Sequence, residues 1–200
     1  MCVKVGIMII DISQEITKCK VYGDDPAPCV LKLSNMEDGE IYNLSLFSMC
    51  AHNGTHVDAP KHFIKDGKTI DEIPLEYFVG ECYVFERSGI LGEKEATEIM
   101  DIAMKNKTYE RILLKGDCVV SKEAALVFKN SGIKLIGNES QSVGPIDSPM
   151  EVHMILLSSN IVLLEGIVLD NVSEGKYFLC SQPLNFKGIE GSPCRAILIK

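Results

Sequence analysis

Three of the four histidines in this 200-residue chain fall in one run, His52-Asn53-Gly54-Thr55-His56-Val57-Asp58-Ala59-Pro60-Lys61-His62. Imidazole nitrogens and carboxylate oxygens can hold a borderline or hard divalent ion while leaving positions for water. His52, His56 and Asp58 supply three such donors within one short loop, and His62 adds a further titratable ring. A bound ion brings the pKa of its water toward about 7, so this run points to metal-assisted hydrolysis at neutral pH.

The backbone must present these side chains together. Gly54 and Thr55 separate the first two histidines and Pro60 follows, which disfavours a helix and favours a turn running into an extended segment. In an extended segment His56, Asp58, Pro60 and His62 alternate onto one face. Gly54 lets the chain fold His52 back onto that face. Cys50, two residues before His52, reads as a packing residue, because nitrogen and oxygen donors suffice without it.

The fourth histidine lies far downstream, in Val152-His153-Met154-Ile155-Leu156-Leu157, and Glu165 follows the apolar run Ile161-Val162-Leu163-Leu164. An ionised glutamate in such surroundings needs a partner or a cation. Each residue has an ordinary reading, His153 as a hydrogen-bonded core residue and Glu165 as an edge-strand carboxylate. Taken with the first cluster, they complete a second metal position, with Asp58 bridging two ions.

Apolar runs and helical patterns alternate along the chain. Strands are expected at 5–11, 40–49, 81–86, 111–115 and 134–136. Between them, 93–106 carries Ala96, Ile99, Met100, Ala103 and Met104 at helical spacing, and Ser121 caps a helix through Lys129 that Gly132 ends. This is a βαβ rhythm, followed by a mostly β closing segment over 176–200.

Composition bounds the partners. With 28 acidic against 20 basic residues and a net charge of −8, the chain is a poor match for a nucleic-acid backbone. No apolar run is long enough to span a bilayer, and the apolar start reads as a first strand, not a signal peptide. The eight cysteines show no Cys-x-x-Cys and no regular spacing, which points to a reduced, cytoplasmic setting. Without a linker-like stretch, residues 1–200 are expected to form one domain.

The run from His52 to His62 matches in full the signature His-x-Gly-Thr-His-x-Asp-x-Pro-x-His, and the chain thereby resembles the cyclase family of metal-dependent hydrolases. The best-known members of that family are bacterial kynurenine formamidases, with isatin hydrolase a relative. The likeness extends through Asp11-Ile12-Ser13, Tyr22 to Pro26, Arg111 to Leu114, Leu135-Ile136-Gly137, Ser142-Val143, Gln182-Pro183-Leu184 and Gly191 to Ala196. It implies an α/β fold of the β/β/α, swivelling-domain-like cyclase type with a mixed sheet, assembled as a homodimer or larger.

It also implies a division of labour. His52, His56 and Asp58 would hold one metal, Asp58, His153 and Glu165 a second, and His62 would shuttle protons. Zinc is the usual metal, with manganese among relatives. The substrate would be a small amide, as in an arylformamidase, or alternatively a lactam, another cyclic amide or an ester. A non-catalytic metal-binding member of the fold is a further alternative. The chain departs from the family pattern at the Tyr22 to Pro26 turn, which lacks the proline after the aromatic. Other departures are Glu139 in place of aspartate and a shorter Gly116 to Ser121 segment. All three are expected to touch pocket walls and not metal ligands.

Overall fold

The computed structural model describes residues 6–200. The strands are β1 (Ile9–Asp11), β2 (Cys29–Ser34), β3 (Leu44–Ser48), β4 (His56–Asp58), β5 (Val79–Glu86), β6 (Gly89–Leu91), β7 (Arg111–Lys115), β8 (Cys118–Val120), β9 (Leu135–Asn138), β10 (Val162–Glu165), β11 (Gly175–Cys180), β12 (Gly191–Pro193) and β13 (Ile197–Ile199). The helices are α1 (Glu93–Lys105), α2 (Lys122–Lys129) and α3 (Met150–Leu157). Nine strands form one mixed sheet in the order β1-β13-β11-β5-β7-β9-β10-β4-β12.

The centre of that sheet is the expected βαβ succession, with β5, β7, β9 and β10 parallel. Parallel neighbours need long crossovers, and α1, α2 and α3 occupy them. The Glu95 carboxylate accepts from the Gly92 N–H at the start of α1, and the Ser121 hydroxyl accepts from the Ala124 N–H at the start of α2, so both helices begin on satisfied donors.

Strand alternation divides the interior in two. Phe85, Ile112, Leu114, Ile136 and Leu163 face the helices, packing on Ile99, Phe128 and Leu156. Val84, Leu113, Leu135, Val162 and Leu164 face the other way and join Val57, Phe78, Leu179 and Leu198 under loops and closing strands. The register pairs Leu163 with Ile136 and Val162 with Leu135, so each layer runs continuously across strands.

Some sequence expectations move. The first strand covers only Ile9–Asp11, and Val5, where it was expected to start, lies outside the described residues. The strand expected over 40–49 starts at Leu44. Among the described residues it pairs only with β2, in a two-stranded sheet that leaves Val30, Leu31, Leu33, Leu44, Leu46 and Phe47 exposed. The segment carrying His153, to which the sequence assigned no element, is helix α3.

Candidate metal centre and active site

β4 carries the heart of the site. It lies between β10 and β12, antiparallel to both, and all three of its residues are buried. Val57 turns into the core layer away from the helices. His56 and Asp58 therefore emerge on the helix side, the face that Leu163 shares in register with Asp58. Glu165 stands in register with His56, and their Nε2 and Oε2 atoms lie 3.5 Å apart.

His153 reaches the same spot from α3. Its Nε2 lies 3.4 Å from Glu165 Oε1 and 3.7 Å from Asp58 Oδ2. Its other ring nitrogen, Nδ1, donates to the Pro149 carbonyl at 2.9 Å, which turns Nε2 toward the carboxylates. His56 is oriented the same way, with Nδ1 donating to the Gly54 carbonyl at 2.9 Å.

His52 arrives from the turn before β4. Gly54 has φ +64, and a Cβ there would come within 2.8 Å of the Cys19 Cβ, so the turn tolerates only glycine. The turn brings His52 Nδ1 to 2.8 Å from Asp58 Oδ1. Gly191, in register with Asp58 on β12, leaves room for the His52 ring, because a Cβ there would lie 2.8 Å from its Cε1.

His62 comes to the site by a different route from the one expected. The alternation of an extended segment stops at Asp58, and Pro60–His62 forms a single 3-10 turn in which the His62 N–H donates to Ala59 O. Proline at the first turn position suits that geometry, since its missing N–H costs nothing there. The turn stacks His62 on His52, with centroids 4.0 Å apart, and sets Phe63 4.8 Å from the His153 ring. His62 makes no side-chain hydrogen bond among the described residues.

All six side chains converge. Two triads have ligand atoms within 4.8 Å of one another, His52 with Asp58 and His62, and His56 with Asp58 and Glu165. Asp58 belongs to both. Beside them lies a cavity of about 230 Å³ whose walls include His52, His56, His62, His153 and Glu165 together with Tyr22, Phe63 and Gln141. Tyr22 thus forms part of the wall, and its hydroxyl donates to Ile146 O at 2.6 Å.

Glu139 does not line this cavity, contrary to expectation. Its carboxylate accepts the Gly116 and Leu169 N–H groups at 2.7 and 2.8 Å, bracing two loops. The Gly116 to Ser121 segment also lies outside the cavity wall.

The donor set fits a divalent cation. Asp58 and Glu165 are buried side by side, an arrangement costly without positive charge. His52 Nε2 and Asp58 Oδ2 are buried with no hydrogen-bond partner among the described residues, the Glu190 carboxylate standing 3.5 Å from the former, and a cation would satisfy both. In the absence of an ion, protons take up part of that role. Burial alone would lower the pKa of His52, but the Asp58 hydrogen bond and charge outweigh it and push it up to about 9. Burial would likewise raise Asp58, yet His52 and the other rings hold it well below the usual carboxylate range. His62 goes the other way, lowered chiefly by burial.

Sequence reading missed the polar wall behind these ligands. Gln141 Nε2 donates to Gly54 O at 3.2 Å, and the Thr55 hydroxyl donates to Gly166 O at 2.6 Å. The only sequence signal was position, since Gln141 directly precedes the Ser142-Val143 pair and Thr55 sits inside the histidine run.

Comparison with known proteins places these features in context. The "Putative cyclase" family model matches residues 10–120. A kynurenine formamidase of Salinibacter ruber (strain DSM 13855 / M31) is 32% identical, covering 95% of this chain and 96% of that one. Another, of Erythrobacter litoralis (strain HTCC2594), is 32% identical over 82% of this chain and 80% of its own length. Among solved structures, isatin hydrolase A from Labrenzia aggregata, bound to benzyl benzoate, superposes with a TM-score of 0.82 at 21% identity. The superposition covers 96% of this chain and 93% of that one, a likeness of fold.

Proposed function

Because the chain belongs to the cyclase family, we propose that residues 1–200 form a single metal-dependent amide hydrolase domain that cleaves an aryl formamide. The observation that carries this reading is the meeting of His52, His56, Asp58, His62, His153 and Glu165 at one cavity, with His52 Nε2 and Asp58 Oδ2 buried and unpartnered. The formamidases among its relatives support the substrate class.

In this reading His52, His56 and Asp58 hold one ion and Asp58, His153 and Glu165 a second, zinc or alternatively manganese. Such an ion supplies an activated water and polarises the amide carbonyl. The protein's own contributions are distinct. The Gly54 and Pro149 carbonyls fix the tautomers of His56 and His153, leaving each Nε2 free as a ligand. His62 makes no side-chain hydrogen bond among the described residues, and burial lowers its pKa, favouring the neutral ring. It takes a proton from the attacking water and returns it to the leaving nitrogen, releasing formate and an arylamine. Tyr22 and Phe63 flank the aromatic ring of the substrate.

The chain is further read as a cytoplasmic homodimer. The seven described cysteines are all free, which suits a reducing compartment. No helix among the described residues is long and apolar enough to cross a membrane. The exposed apolar residues of β2 and β3 offer the surface for a second copy, since an isolated two-stranded sheet is marginal alone.

Metal analysis of the purified protein, followed by hydrolysis assays on formanilide, N-formylkynurenine and isatin, tests the function. Turnover that chelation abolishes and added metal restores is expected. Full turnover by metal-free protein would overturn the reading.

A further inference from the structure

We propose that Gln141 is a specificity-determining residue whose side-chain oxygen accepts a hydrogen bond from the N–H of the scissile amide, so that the enzyme prefers amides to esters. The inference rests on the amide-hydrolase reading above and adds to it a residue and a selectivity.

The orientation of the Gln141 amide follows from its neighbours. Its Nε2 lies 3.2 Å from the Gly54 carbonyl, which also accepts from His56 Nδ1 at 2.9 Å. Turning the amide over would set Oε1 against that carbonyl, acceptor against acceptor. The nitrogen is therefore committed to the wall that holds His56. A Cβ at Gly166 would lie 2.1 Å from Nε2, so the amide is seated against the backbone immediately after Glu165.

That leaves Oε1. The residue is 9% exposed and lines the cavity, yet Oε1 is buried and unpartnered. A buried acceptor without a donor carries a desolvation penalty, and such atoms call for an explanation. His52 Nε2 and Ser142 Oγ, from two other residues that line the cavity, share that condition, as does Asp58 Oδ2 of the metal site. The Glu165 carboxylate, which lines the same cavity, is already engaged. Glu165 Oε1 takes the Val143 N–H at 2.7 Å, and its two oxygens face His153 and His56. Gln141 Oε1 is thus a neutral acceptor, held in place by the Nε2 bond, on a residue that lines the cavity.

A secondary amide brings the donor this acceptor lacks; an ester of the same shape does not. A site built to pair an N–H discriminates against an analogue without one, because its own buried group is then left unsatisfied. An acceptor serving the attacking water would act on amide and ester alike.

The test uses the metal-loaded protein with formanilide against two analogues lacking the N–H, phenyl formate and N-methylformanilide. In Gln141→Met, kcat/KM for formanilide should fall by about tenfold more than that for either analogue, any loss common to all three substrates and any change in metal content reporting the lost Nε2 bond to the Gly54 carbonyl. Gln141→Leu serves as a second variant if methionine impairs folding. An equal fall on all three substrates, or no fall on formanilide, would overturn the inference while leaving the hydrolase reading intact. If the parent protein turns over none of the three, the hydrolase reading fails and this inference with it.

Discussion

His56 and Glu165 face each other in register across antiparallel β4 and β10, with Nε2 3.5 Å from Oε2. More than a hundred residues of chain separate them, so the centre depends on sheet pairing as much as on the histidine loop. Replacing Glu165 by Gln keeps the shape and the acceptor for the Val143 N–H but removes one of two buried charges. Loss of an outer-shell partner costs about 10- to 100-fold in metal affinity, and loss of Glu165 should cost at least that. Isothermal titration with zinc, alongside near-ultraviolet circular dichroism to verify the fold, measures the difference.

His62 should separate binding from chemistry. Its ring stacks on His52 and bonds to no carboxylate among the described residues, so His62→Ala should retain the bound metal. Removing a general acid and base lowers turnover by about 10²- to 10⁴-fold, and kcat should fall within that range. Metal content measured on the same sample separates the two effects, and a His62→Ala protein that loses its metal would make His62 a ligand.

Metal uptake should release protons and strengthen as pH rises. His52 is raised to about 9 in the metal-free protein, so below that pH a proton competes with the ion for its ring. The direction for stability is opposite. A raised folded-state pKa gives stabilisation that is fully present below the ordinary value of 6.5 and is lost as pH rises toward 9. Metal-free protein should therefore lose this contribution between those values, just where affinity for the ion improves. Zinc titrations in weakly buffered solution at a series of pH values, paired with thermal melts of the metal-free protein, follow both trends.

The local part of this site is legible in sequence because its geometry is local. His52, His56 and Asp58 lie within seven positions, and Gly54 between them is required by a positive φ. The course of His62 is less so: alternation would carry it on a strand, whereas Pro60 begins a 3-10 turn that delivers the ring onto His52. α3 also gives little periodic signal, because Val152, Leu156 and Leu157 are buried along with His153 and apolar residues occur on its other sides too. Its apolar run reads equally as a strand. Gln141 carries no motif at all, and its importance appears only when the Gly54 carbonyl comes within reach of its side chain. Glu139 shows the converse, a position singled out by its residue type that proves to be a brace between two loops.

Gly191 should be intolerant of even one methyl group. A Cβ there would lie 2.8 Å from His52 Cε1 and 2.9 Å from the Val57 carbonyl. The carbonyl belongs to β4 and yields less readily than a side chain, so the His52 ring must shift from its place beside Asp58. Overpacking of this kind costs about 1–3 kcal/mol, to be read from urea denaturation of Gly191→Ala. The same displacement should weaken zinc binding. A variant with undiminished stability and affinity would show that β12 shifts as a whole to accommodate the methyl group.

The exposed β2–β3 sheet makes the last prediction, about assembly. Leu31 and Leu46 pair across its two strands, and both are more than half exposed. An apolar cross-strand pair on a marginal two-stranded element stabilises little unless something covers it. If a second copy does so, Leu31→Lys combined with Leu46→Lys places like charges opposite each other and against the partner. Sedimentation equilibrium should then show a dimer for the parent chain and a monomer for the double variant. Zinc content should be the same in both, because neither residue touches the histidine cluster. A parent chain that sediments as a monomer would leave this surface free in solution and remove the homodimer from the proposed function.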